Sequence, residues 1–286
     1  MSNLTQGDRV FHPNQKGWGL GKVLNVTPDN IDVFFVGTGA KRLSKSFVKL
    51  EIAEGTAAKH RLLDNLIETS QIGSVDYVSP AAAVERFLTI HPEGFSAPRF
   101  VKDEREASVR AHQFFIQLLG ETEISELIAE RRYQDVCDRV RHIESVTTLL
   151  TKGEKAAFYS ALDTPVNQKT FSVALAALLY GTDSEEERFK GFVRALDLLG
   201  ISRWPYATLF GFLRFPQEKA YIKPTVIQTV AKAFCWRINY KAEPNWRGYA
   251  AVLRLYNHLR TSLLEEGLMP RDMIDVQSFI WTIGQK

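Results

Sequence analysis

The residues best suited to chemistry in this sequence are cations. Between Ile201 and Arg260 lie Arg203, Arg214, Lys219, Lys223, Lys232, Arg237, Lys241, Arg247, Arg254 and Arg260, against only Glu218 and Glu243. That segment carries +8 in a chain whose net charge is +3. Such density suits an anionic partner, above all a phosphate backbone, because each contact releases a condensed counterion. The plain alternative is a set of solvated helix faces. Arg203, Lys219, Lys223, Arg237 and Arg247 are the first candidates for phosphate contact, with Trp204 beside them either stacking on a base or filling the core. A second group gathers near the N-terminus: Lys16, Trp18, Lys22, Lys41 and Arg42. Trp18 flanked by lysines can stack on a base, or it can be a core residue.

Catalytic constellations are missing by comparison. The six histidines (His12, His60, His91, His112, His142, His258) never fall at i, i+4, so no helical zinc pair exists. Gly17-Trp18-Gly19-Leu20-Gly21-Lys22 lies between strand-like runs, not before a helix, and does not read as a phosphate-cradling loop. No Gly-x-Ser-x-Gly elbow occurs. Asp272 and Asp275 share a helix face at i, i+3, a spacing that serves either acid–base work or a helix cap with a structural partner. No cofactor is expected. Cys137 and Cys235 are far apart and read as free buried thiols, which suits a reducing cytoplasm.

The elements that must position these residues come in two kinds. Residues 7–52 alternate β-branched and aromatic positions with turn residues, as in Ile31-Asp32-Val33-Phe34-Phe35-Val36 after Thr27-Pro28-Asp29-Asn30. Short strands are predicted over 8–12, 19–26, 31–36, 41–43 and 47–50, closing into a small barrel with Val23, Ile31, Val33 and Phe35 inside. From Glu54 onward the apolar period becomes helical. Helices are predicted over 57–68, 80–91, 102–119, 123–132, 134–150, 154–162, 169–179, 184–199, 203–214, 225–239, 246–266 and 271–283, with linkers at 70–80 and 92–101. The expected class is α+β: an SH3/tudor-like β-barrel over 1–54, a helical region over 55–150 and a helical domain over 151–286. Hydrophobic residues at 45% and charged residues at 24% fit a globular chain. The longest apolar run, Val173 to Tyr180, is too short to span a bilayer, so no membrane partner is expected.

Gly7-Asp8-Arg9-Val10-Phe11-His12-Pro13, followed by Gly17-Trp18-Gly19-Leu20-Gly21-Lys22-Val23 and the strand at 31–36, resembles small bacterial tudor-like barrels and the C-terminal barrel of UvrD-type helicases. The resemblance implies a partner among DNA, RNA polymerase or other proteins. Leu198-Leu199-Gly200-Ile201-Ser202-Arg203-Trp204-Pro205, with Lys223-Pro224-Thr225-Val226 and Asp275 to Gly284, looks like a divergent helix-hairpin-helix DNA glycosylase. In that family backbone N–H groups at the second helix's N-terminus hold phosphate. Ser202 replaces the hairpin's second glycine, and Lys223 stands near the place of the catalytic aspartate. An ammonium cannot stabilise a developing oxocarbenium ion, so the resemblance implies a scaffold without that chemistry unless Lys223 forms a Schiff base. The expected function is non-catalytic DNA binding in repair, transcription-linked processes or defence. A protein adaptor and a divergent glycosylase or lyase are the alternatives.

Overall fold

The computed structural model describes residues 4–72 and 75–285. Gly73 and Ser74, within the expected linker at 70–80, lie outside the described residues. The N-terminal strands are β1 (Arg9–Phe11), β2 (Gly21–Val26), β3 (Asn30–Phe35), β4 (Gly39–Ser44) and β5 (Glu51–Ile52). They form one antiparallel sheet in the order β4-β3-β2-β1-β5, which curls into a barrel-like unit. The turn at Thr27 closes by exchange with Asn30, whose carbonyl accepts from the Thr27 N–H at 2.9 Å. Gly21 is required at the β2–β3 crossing: a Cβ there would lie 2.7 Å from the Phe35 and Val33 side chains. The last strand is displaced from the expected 47–50. Phe47 and Val48 N–H groups both reach the Ser44 carbonyl, so the chain turns there and pairs with β1 only at 51–52.

Strand alternation sends side chains to two different cores. Val10, Val23, Ile31, Val33 and Phe35 fill the barrel together with Leu50. Leu20, Leu24 and Phe34 point the other way and join the core of the helical body. Tyr77 completes that seam, with its ring edge-on to Phe34 at 4.8 Å and its hydroxyl donating to the Val36 carbonyl at 2.6 Å. Arg9 adds an ion pair to Asp64 at 2.6 Å.

The body holds eleven helices of nine or more residues among the described residues: α1 (Pro80–Ile90), α2 (Glu106–Leu119), α3 (Glu121–Ala129), α4 (Tyr133–Ser145), α5 (Lys152–Ala161), α6 (Pro165–Tyr180), α7 (Glu185–Leu198), α8 (Trp204–Arg214), α9 (Pro224–Ala233), α10 (Trp246–Glu265) and α11 (Met273–Gly284). Several begin on capping side chains, including Ser79 for α1, Ser184 for α7 and a full capping box of Thr151 and Glu154 for α5. A single apolar core runs from Leu62 to Ile280, continuous across residue 150.

Two expected helices are broken, and each break involves the other. The predicted helix at 57–68 is instead a 3-10 turn (Gly55–Ala58), a single helical turn (Arg61–Asp64) and an extended strip. The predicted helix at 225–239 stops at Ala233. Cys235 then takes φ +50°, and residues 235–237 run antiparallel to 65–67, with Leu66 opposite Trp236. Ile67 N–H donates to the Cys235 carbonyl at 2.9 Å and Arg237 N–H to the Asn65 carbonyl at 2.8 Å. Among the described residues of the body, this bridge is the one β-pairing beside the helices. Non-local backbone pairing displaced two helix ends that local periodicity favoured.

Candidate nucleic-acid interface

The bridge between 65–67 and 235–237 adjoins two basic depressions. Trp236 sits at its centre, 1% exposed, stacked on His258 at 5.0 Å and 15°, with its indole N–H directed to the Ala251 carbonyl. A depression of about 550 Å³ borders Trp236 and is lined by Lys232 and Arg237 and by the amides of Gln228 and Asn239. A second of about 300 Å³ also borders Trp236 and is lined by Arg61 and Arg254 with Asn65 and Asn257. Among the described residues no carboxylate lines either depression. Among the described residues none of these four cations forms an ion pair. Arg61 is steadied by the Asn257 carbonyl (3.3 Å) and the Thr261 hydroxyl (3.2 Å), which orients a guanidinium without neutralising it.

One cation of the barrel lies close to this region. Lys22 reaches over the seam to donate to the Leu63 carbonyl at 3.2 Å. Burial lowers its pKa, and the charges of Arg9 and Arg237 push in the same direction. Beneath Trp236, His258 is buried with no hydrogen-bond partner on Nε2. Burial, helped by His60 and Arg61, takes its pKa down to about 3. The floor is thus a neutral aromatic stack, and the charge stands at the rim.

The residues singled out from the sequence are distributed unevenly about this region. Arg237 lies in it, and Lys22 borders it. Arg203 and Arg247 are exposed at the starts of α8 and α10. They are joined to the region through Trp204, which donates to the Lys241 carbonyl at 2.8 Å and stacks on Tyr240 at 6.4 Å. Trp204 itself is 1% exposed and closed to stacking on a ligand. Lys219 and Lys223 carry acidic partners from the middle of the chain: Glu185 at 2.7 Å and both carboxylate oxygens of Glu154 at 2.8 Å. On the barrel, Lys16 is exposed, whereas Arg42 is paired with Asp32 at 2.7 Å. Trp18 packs on Phe35 and His12 as part of the barrel core, with Lys41 lying 5.8 Å over its ring.

The segment likened to a helix-hairpin-helix is a helix–turn–helix, with Gly200 at φ +70° in the turn between α7 and α8. The first turn of α8 (Trp204, Pro205, Tyr206, Ala207) is buried, so this N-terminus does not present its amides to solvent. Asp272 caps α11, and with Asp275 it receives Arg105 at 2.5 and 3.0 Å in the interior, a structural assignment for that pair. Among the described residues no group of three or more His, Cys, Asp or Glu is placed to hold a metal, and no helix is long and apolar enough to cross a membrane.

Lys232 and Arg254 enter the region from the basic segment although they are not among its first candidates, and Arg61, outside that segment, was not singled out at all. Their convergence depends on the 65–67 bridge. The available clue was Cys235-Trp236-Arg237-Ile238-Asn239-Tyr240, an aromatic and β-branched run that suits extended chain better than helix.

A family model described as a protein of unknown function (DUF3553) matches residues 4–53, the barrel-like sheet and its approaches. The helical body lies outside that match. No curated protein and no solved structure matches the chain.

Proposed function

We propose that this protein binds DNA without acting on it chemically, taking the phosphate backbone along the two depressions that share Trp236. The observation that carries this reading is the meeting of Arg61, Lys232, Arg237 and Arg254 around two depressions that share Trp236, with no carboxylate among the described lining residues. Cations without a carboxylate partner keep donors for phosphate oxygens, Arg61 through the nitrogens other than Nη1, and the neighbouring asparagine and glutamine amides supply neutral contacts to phosphate or sugar. Arg203, Lys241 and Arg247 extend the basic surface beyond Tyr240. The barrel stands at the opposite border, where Lys22 adds charge.

The test is fluorescence anisotropy with a labelled 20-base-pair duplex over a salt series. Four phosphate contacts give a slope of about −3.6 in log K against log salt. Replacing Arg237 and Arg254 together by Gln is expected to reduce that slope by about 1.8, at 0.9 per contact. Lys219→Gln, whose ammonium is already paired with Glu185, leaves the slope unchanged. An affinity independent of salt, or an R237Q/R254Q variant that binds like wild type, overturns the proposal.

A further inference from the structure

A separate cavity lies among the C-terminal end of α6, the first turns of α7, the face of α8 and Tyr249 of α10. It is about 220 Å³ and more enclosed than the basic depressions. Its floor is apolar, made by Leu178, Leu179, Phe189, Ala207 and the Tyr249 ring. At its mouth stand two cations and two anions: Arg188, Lys219, Glu185 and Glu218. Arg188 is fixed in place, its Nε and Nη1 donating to the Asp183, Leu178 and Leu179 carbonyls. Those bonds leave Nη2 available. Lys219 Nζ lies 2.7 Å from Glu185 Oε1. Its two remaining N–H bonds are unassigned. Glu218 is exposed on the loop after α8, with no ion-pair partner among the described residues.

We infer that this cavity is a binding site for a small zwitterion with an apolar side chain, of the α-amino-acid class. Size excludes a nucleotide, since the space falls below the roughly 300–1,000 Å³ of drug-sized sites. Charge narrows the choice further. The rim is neutral as a whole, so a net anion or cation would leave one surplus rim charge desolvated without a counterpart, which is costly in an enclosed site. A zwitterion places its carboxylate against Arg188 and Lys219 and its ammonium against Glu218 and Glu185. Its side chain then covers the Phe189 and Tyr249 rings. This site is independent of the basic depressions at Trp236, so either assignment can fail without the other.

The experiment titrates L-leucine and L-phenylalanine into the full chain, followed by methyl resonances of Leu178 and Leu179 and by Tm. In parallel it uses the deaminated acids (4-methylpentanoate, 3-phenylpropanoate) and the decarboxylated amines (3-methylbutylamine, 2-phenylethylamine). A ligand of this size is expected to bind with a Kd of about 0.1–1 mM. Gly211→Leu fills the cavity from α8, where an added Cβ meets nothing closer than Lys219 Cγ at 3.9 Å. That variant is expected to keep its fold and lose the titration. Glu218→Gln removes a mouth anion and is expected to weaken the amino acids severalfold while strengthening the deaminated acids. The inference is overturned if neither amino acid moves the Leu178 and Leu179 signals, if G211L binds as wild type does, or if an acid or amine outbinds its parent amino acid.

Discussion

At the residue scale the least expected group is His258. It is 3% exposed, stacked on Trp236 and edge-on to His60, and its Nε2 has no hydrogen-bond partner. Burial holds its pKa down to about 3, far below the ordinary 6.5. Between those values the unfolded chain binds a proton that the folded chain does not, so stability falls as pH falls through that window. The slope is on the order of 1.4 kcal/mol per pH unit for one such group. Urea midpoints measured at pH 7 and pH 5 are expected to show this loss in wild type and a smaller one in His258→Phe, which keeps the stack on Trp236 but does not titrate. An equal loss in both proteins would remove His258 from the account. Nothing in the spacing of the six histidines announces this one, because its environment is made by residues 60 and 236, brought together only by the fold. Arg61, outside the basic segment, was hidden for the same reason. By contrast Arg237 was legible, since a dense basic segment is a property of the sequence itself.

At the element scale, capping chemistry was written locally and could be read. Ser79 before Pro80 starts α1 as expected, and Gly200 ends the α7 turn in the left-handed region that glycine adopts freely. The helix ends at 57–68 and 225–239 were not legible, because the carbonyls of Asn65 and Cys235 are satisfied across the fold rather than along a helix. Helix α5 shows a local device turned to a distant use. Thr151 and Glu154 form its capping box, and Glu154 also takes Lys223 from the start of α9. Burial raises the Glu154 pKa, but hydrogen bonds from Lys223 and from Thr151 outweigh that effect and hold it below the usual range. The stabilisation is therefore complete above the ordinary carboxylate pKa and is lost as pH falls through the depressed value. Thr151→Ala is expected to cost about 1 kcal/mol in chemical denaturation at pH 7. Lys223→Met is expected to destabilise as well, because it strands a half-buried carboxylate, while leaving DNA affinity intact. If K223M instead weakens DNA binding and leaves stability alone, Lys223 belongs to the interface and not to the α5–α9 contact.

At the scale of the whole molecule, the alternation in β2 and β3 decides how the two parts behave. A strand with one solvated face would leave the barrel an independent module, and the sequence pattern alone permits that reading. Here Val23, Val33 and Phe35 close the barrel, while Leu20, Leu24 and Phe34 are shared with the helical core. Phe34 is fully buried at the seam against Tyr77. Removing its ring takes contacts from both parts at once, and a Phe→Ala change in a core costs about 3–5 kcal/mol. If the seam couples the two parts, Phe34→Ala lowers the stability of both equally, and peptides from β2–β3 and from α10 lose exchange protection at the same denaturant concentration. Hydrogen exchange with mass spectrometry distinguishes this from a detachable barrel, for which the strand peptides of F34A open first while α10 stays at its wild-type midpoint. The outcome bears on the interface too. Lys22 reaches the Trp236 region only because the barrel is docked, so a barrel that opens alone would shed that charge, and the salt dependence of DNA binding in F34A would flatten before the helical body unfolds.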